Sequence, residues 1–141
     1  MTVVKRSAGL VVMRQFDGQW HCLVLRAYRN WDFPKGQPNP GEEPLQAALR
    51  EAREETGLSE LDLPWGGDYR ETEPYSKGKV ARLYLALSSH GDVSLPVSAE
   101  LGRPEHHEFR WVPLDRAQEL LPPRFWPTLR WAQDIVGTAS V

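Results

Sequence analysis

Glu51, Glu54 and Glu55 fall within five residues of one another. On a helix turning 100° per residue, Glu54 and Glu55 lie about 60° and 40° to either side of Glu51. Three carboxylates then share one face, and each such like-charged pair costs about 0.2–0.5 kcal/mol on an isolated helix. One reading is a solvated face whose acids pair with Arg50 and Arg53. The other is a site for a divalent cation, which turns the repulsion into affinity. Mg²⁺ is held by a few carboxylates together with the phosphates of a substrate. The stretch ahead of the acids favours the second reading, because Gly36 and Gly41 let backbone approach a bound group closely. A glycine-bearing loop followed by acids on a helix is a place to hold metal ions against a phosphate chain.

The elements that must position these acids are legible around them. "NWDFPKGQPNPGEEP" carries three prolines before Pro44 and two glycines, which predicts loop. Pro44 suits a first helical position and Gly57 the left-handed residue after a helix, so the helix runs between them. Leu45, Ala48, Leu49 and Ala52 follow the i, i+3, i+4, i+7 spacing of its apolar face, centred roughly 120° away from the acids. "SAGLVVMR" and "HCLVLRA" read as buried strands joined by the turn at Gly18, and "KVARLYLALS" and "EFRWVPL" as two more. "SSHGDVSLPVSAELGRPEHH" reads as a long loop. "DRAQELL" reads as a short helix capped by Asp115. A last helix starts around Pro123 or Pro127 and turns Leu129, Ala132, Ile135 and Val136 inward. Trp111, Trp126 and Trp131 read as packing residues. Loose alternation of strands and helices predicts an α/β layer fold.

Composition bounds the rest. A length of 141 residues, 40% of them hydrophobic and 26% charged, suits a single domain with a real core. A net charge of −2 argues against binding duplex nucleic acid, which calls for a basic excess. Cys22 is the sole cysteine, which excludes an intrachain disulfide and a multi-cysteine zinc site, and it reads as a small buried hydrophobe. No signal-peptide pattern and no membrane-spanning run is seen, so the expectation is a cytoplasmic protein without membrane contact.

Gly36, five residues, Glu42, seven residues, then Arg50-Glu51-Ala52-Arg53-Glu54-Glu55-Thr56-Gly57-Leu58 resembles the Nudix box spanning 36–58. All seven fixed residues of the pattern G-x5-E-x7-R-E-U-x-E-E-x-G-U are present. Ala52 stands where a bulkier aliphatic is usual. The resemblance implies an α/β/α sandwich around a central mixed sheet, with the whole chain 1–141 as one such domain. It also implies hydrolysis of a nucleoside diphosphate linked to some group X. Carried over to this sequence, it makes Glu51, Glu54 and Glu55 ligands of Mg²⁺ or Mn²⁺, with the backbone carbonyl of Lys35 as a further ligand. Glu51 becomes the base or water-orienting group, Arg50 holds it, and Glu42 and the glycines shape the loop and helix.

Beyond the box, "SAGLVV", "WDFPKG", "EPYSKGK" and "EHHEFRWVPLDRA" resemble segments of the asymmetric diadenosine tetraphosphate hydrolases. That resemblance implies dinucleoside polyphosphates as substrates. Tyr75 would bind substrate, and Lys35, Lys77 and Lys79 would contact the polyphosphate. Glu105, with Glu108 as a rival, would be an acid reaching the metals or the attacking water from a loop. His106 and His107 could approach the base or phosphates. Alternatives within the enzyme class are ADP-ribose hydrolysis, for which Pro74 is a cue, and pyrophosphohydrolysis of a capped or triphosphorylated RNA 5′ end. The RNA enzymes carry Gln where this chain has Lys35. A nucleotide-binding regulatory domain is the non-enzymatic alternative, and retention of every box carboxylate argues against it.

Overall fold

Strands β1 (Lys5–Phe16) and β2 (Gln19–Ala27) form a hairpin across Asp17 and Gly18 in the computed structural model, which describes residues 4–139. Both turn residues have positive φ, 51° and 77°, the two-residue geometry whose twist matches the flanking strands. It sets the register Phe16↔Gln19 through Met13↔Cys22. β1 also pairs in parallel with β7 (Lys79–Ser88), from Lys5↔Lys79 to Met13↔Leu87. β8 (Glu108–Pro113) runs antiparallel to β2, and the short β5 (Leu61–Asp62) and β6 (Tyr69–Glu71) run antiparallel to β7. The sheet is therefore mixed, as expected.

The proline-rich stretch before the helix is not loop throughout. It contains β3 (Asn30–Asp32), paired with β2, and β4 (Lys35–Gly36), paired with β1. Elements of three and two residues carry too little periodicity to be seen in a sequence. Their consequence is large, because Ala8↔Gly36 and Gly9↔Lys35 fasten the start of the box to the central strand. Gly9 is required there: a Cβ would collide with the Pro34 carbonyl and the Lys35 side chain.

Each central strand is apolar on both faces, the pattern of a sheet covered on two sides. Val11, Met13, Cys22, Val24, Leu83 and Leu85 face a core closed by Phe125, Leu129, Ala132 and Val136. Ala8, Leu10, Val12, Leu23, Leu25 and Ala86 face Ala47, Ala48 and Ala52 of α1 (Pro44–Thr56). Helices on both faces give the α/β/α sandwich. In α1 the alanines are fully buried, while Leu45 and Leu49 sit half-buried at the margin of the face. Small side chains let the helix lie close to the sheet, which is what Ala52 does in place of a bulkier aliphatic. The helix ends as predicted at Gly57, φ 78°, whose N–H donates to the Arg53 carbonyl at 2.8 Å.

Two details at the C-terminal end differ from expectation. The segment after β8 forms a single 3₁₀ turn, Ala117–Glu119, with Arg116 rather than Asp115 at its N-cap. Pro123–Phe125 forms another that leads into α2 (Trp126–Ala139), so both proline cues mark real boundaries. Trp131 packs in the core, Trp111 is half-buried, and Trp126 is 42% exposed, held by its indole N–H donating to the Leu121 carbonyl at 3.2 Å. No helix among the described residues is long and apolar enough to cross a membrane.

Cys22 is completely buried, and burial pushes its thiol from 9.0 up to about 12. The folded protein thus keeps a proton that the unfolded chain loses above pH 9. Stability should fall as pH rises from 9 towards 12, by up to about 1.4 kcal/mol per pH unit from this group. Cys22→Ala should flatten that slope in chemical denaturation. At pH 8 a thiol reagent should label Cys22 only as fast as the protein unfolds. Immediate labelling of the native protein would contradict the burial.

Candidate active site

α1, β4 and the loop between β7 and β8 enclose an open cleft of about 910 Å³. One wall carries Arg50, Glu51, Glu54 and Glu55 from the helix, and the floor is Lys35, Gly36 and Gln37. The opposite wall is Pro96 to Leu101, with Glu105 beyond it. The box residues therefore meet across a concave surface, and the residues that complete it come from far along the chain.

Arg50 organises the helical wall. Its Nε and Nη2 donate to the two carboxylate oxygens of Glu42, at 2.9 and 3.0 Å. Nη1 donates to Glu51 at 2.9 Å and Glu54 at 3.1 Å, and Nη2 also reaches the Gln37 carbonyl at 3.1 Å. All five guanidinium N–H groups are thus spent on the loop and the helix together. These partners, Glu42 foremost, raise the Arg50 pKa, and Arg50 in turn holds Glu42 below its usual range. Gly36 lies directly beneath Glu51, where any Cβ would collide with the carboxylate.

The three helix acids are not equivalent. Glu54 is exposed, Glu51 is half-buried and Glu55 is buried at 6% exposure, so the acidic face dips into the protein rather than standing in solvent. Burial raises the Glu55 pKa well above the ordinary carboxylate range, and Glu105 and Glu51 add to the effect. Among the described residues its Oε2 has no hydrogen-bond partner. Glu105 is raised by burial and by Glu51. A buried carboxylate oxygen without a protein partner, beside two further carboxylates, is a donor set suited to a cation. The residues fit a hard divalent ion. Glu55, Glu105 and His106 also bring ligand atoms within 4.8 Å of one another.

Glu105 rather than Glu108 reaches the cleft. Glu108 lies on β8 and is occupied by Arg26 at 2.6 Å and Arg110 at 2.9 Å. His106 is buried behind the acids, Nδ1 3.7 Å from Glu55, and burial lowers its pKa. It does not line the cleft. His107 accepts the Tyr28 N–H at 2.9 Å and belongs to the turn between β2 and β3.

Lys35 Nζ pairs with Asp32 at 2.9 Å. Burial opposes its charge, but Asp32, together with Tyr75 and Glu55, outweighs that cost and the pKa is raised. Lys35 thus stays cationic at the cleft floor. Tyr75 is half-buried against the α2-side core, with the Arg124 guanidinium 4.1 Å from its ring centroid. Tyr75 bridges to Lys79 across a turn in which Ser76, Lys77 and Gly78 all have positive φ. Lys77 and Lys79 are exposed, and neither lines the cleft.

Sequence reasoning missed Asp32, the Pro96–Leu101 wall and Arg124. Asp32 had a faint signal, an acid three residues before Lys35. The wall had none, since loop residues carry no periodicity.

The NUDIX domain family model matches residues 4–132. The chain belongs to the Nudix family, and it is a pyrophosphohydrolase. It is 34% identical over 122 residues to the asymmetrical bis(5′-nucleosyl)-tetraphosphatase of Caenorhabditis elegans, covering 82% of this chain and 83% of that one. A crystal structure of a C. elegans Ap4A hydrolase binary complex superposes with a TM-score of 0.77 at 28% identity, over 95% of this chain and 99% of that chain. The RNA pyrophosphohydrolase of Erythrobacter litoralis is 32% identical over 114 residues, covering 66% of this chain and 65% of its own. Hydrolases of this family work with divalent metals on small nucleotide substrates.

Proposed function

We propose that the protein is a cytoplasmic hydrolase of dinucleoside polyphosphates, which with Mg²⁺ or Mn²⁺ cleaves diadenosine tetraphosphate to ATP and AMP. The observation that carries this reading is the convergence of Glu51, Glu55 and Glu105 in the cleft beside a cationic Lys35. Acids and a cation together suit a metal-bound polyphosphate. Similarity over most of the chain to a tetraphosphatase supports the choice of substrate.

Glu51, Glu54, Glu55 and the Lys35 carbonyl are the groups that would hold the metal. When bound, it neutralises charge on the phosphate oxygens and lowers the pKa of water. The remaining work falls to the protein. Glu51, fixed by Arg50, takes the proton of the attacking water at a carboxylate oxygen. Glu105, facing it across the cleft, orients that water. The water oxygen bonds to phosphorus while the P–O bond of the anhydride breaks, and the leaving phosphate carries away the electron pair. Lys35 steadies the bridge, held in place by Asp32. His106 backs Glu55, and Tyr75 is offered as a surface for a base, with Lys77 and Lys79 available to the outer phosphates.

The test is turnover of diadenosine tetraphosphate, 5′-triphosphorylated RNA, ADP-ribose and 8-oxo-dGTP with Mg²⁺, the products identified by mass. Diadenosine tetraphosphate should show the highest kcat/KM and give ATP and AMP. In oxygen-18 water a single turnover should place the label in product. A higher kcat/KM for the RNA or for ADP-ribose would replace the substrate assignment, and unlabelled first-turnover product would overturn direct attack by water.

A further inference from the structure

Arg124 has no assigned task, and like Arg14 and Arg26 it lies on an aromatic ring with a buried, unpartnered Nε. It stands in the 3₁₀ turn before α2, half-buried, with its guanidinium carbon 4.1 Å from the Tyr75 ring centroid and 4.9 Å from that of Phe125. Among the described residues its buried Nε has no hydrogen-bond partner and no carboxylate forms an ion pair with it. A planar cation laid on an aromatic face is held in orientation without consuming its N–H donors. Burying a donor unsatisfied costs free energy, so such an arrangement calls for an acceptor that arrives from outside.

Its location says which acceptor. Phe125 packs edge-on against Phe33 at 5.2 Å, two residues before Lys35. Tyr75, on whose ring the guanidinium lies, is a near neighbour of Lys35. Arg124 and Tyr75 thus stand near the cation at the cleft floor, outside the lining of the cleft itself. The cations expected from the sequence to serve this side stand in solvent, Lys77 on the positive-φ turn and Lys79 at the start of β7.

We infer that Arg124 binds the non-scissile phosphates of a polyphosphate bridge, from one face of Tyr75, and so sets preference for long bridges over short ones. This rests on the hydrolase reading above. The guanidinium offers paired N–H donors to phosphate oxygens. A diphosphate bridge, engaged by the metal site alone, gains nothing from it.

The experiment compares wild type, Arg124→Met, Arg124→Gln, Arg124→Lys and Lys79→Ala. Methionine keeps an apolar stem on Tyr75, and glutamine is the second neutral variant should methionine pack poorly. Loss of charge-assisted bonds should lower kcat/KM for diadenosine tetraphosphate about 10- to 50-fold in both neutral variants, chiefly through KM. ADP-ribose should change less than about twofold, because its two phosphates do not reach the guanidinium. Arg124→Lys should recover part of the loss, and the salt dependence of kcat/KM should be shallower in the neutral variants. Equal losses for both substrates, no loss, or a loss seen only in Lys79→Ala would overturn the inference. Calorimetric binding of inorganic tripolyphosphate to the same proteins separates this from the substrate assignment. If wild type fails to cleave diadenosine tetraphosphate, that assignment falls, while weaker tripolyphosphate binding by Arg124→Met still upholds the role of Arg124. Unchanged tripolyphosphate binding would refute it.

Discussion

Glu55→Gln should abolish turnover, by on the order of 10³-fold, while leaving the metal-free fold as stable as wild type or more so. The two effects separate because Glu55 is a poor residue for the fold and a necessary one for the site. It is buried, one oxygen lacks a partner, and Glu51 and Glu105 both oppose its charge. Glutamine removes the buried charge and brings an N–H group that can donate to either neighbouring carboxylate. Thermal melts in chelator should therefore show no loss for the variant. Adding Mg²⁺ or Mn²⁺ should raise the melting temperature of wild type, since a ligand at 100 times its Kd adds about 2.7 kcal/mol. That rise should largely vanish in Glu55→Gln. A variant several kcal/mol less stable in chelator, or one with wild-type turnover at saturating Mg²⁺, would mean that Glu55 is a structural acid.

The contrast with what the sequence shows is instructive at this residue. Helical geometry placed Glu51, Glu54 and Glu55 together, and the box spacing gave them a task. Neither could say that Glu55 is buried and Glu54 exposed, because that depends on which side of α1 leans against the sheet. The helix ends and the central strands were legible because periodicity and the residues Pro44, Gly18 and Gly57 mark them locally, whereas the mixed sheet followed only from the family resemblance. β4 was not, although its pairing with β1 fixes Lys35 and Gly36. A two-residue strand owes its existence to a partner distant in sequence. The same holds for Glu105: spacing left it level with Glu108, and only the path of the loop separates them. Tyr75 drew attention through its distance from the box, as the resemblance implies, but its neighbour Arg124 came from another element and carried no motif.

Arg50→Lys should fail in the opposite way to Glu55→Gln, losing both stability and activity although the charge is kept. Five N–H donors in a fixed fork engage Glu42 twice, Glu51, Glu54 and the Gln37 carbonyl. A lysine has three donors on a single nitrogen and cannot span the loop and the helix at once. Glu42 and Glu51, both less than a fifth exposed in their side chains, would compete for it. Charge-assisted bonds contribute about 1.5–3 kcal/mol each when sheltered and less where solvent reaches them, as at Glu54. The loss should be about 2–4 kcal/mol in chemical denaturation, allowing for the bonds lysine retains. Activity should fall by about 10²-fold or more, because Glu51 is no longer held against Gly36 and small misplacements are costly in catalysis. The loss should appear in kcat, since the groups that bind the distal phosphates are untouched. Saturating metal should restore part of the stability and little of the activity, because it gathers the carboxylates without rebuilding the link to Gln37. A lysine variant with wild-type kcat would show that the metal alone positions Glu51, and that the arginine clamp serves only the fold.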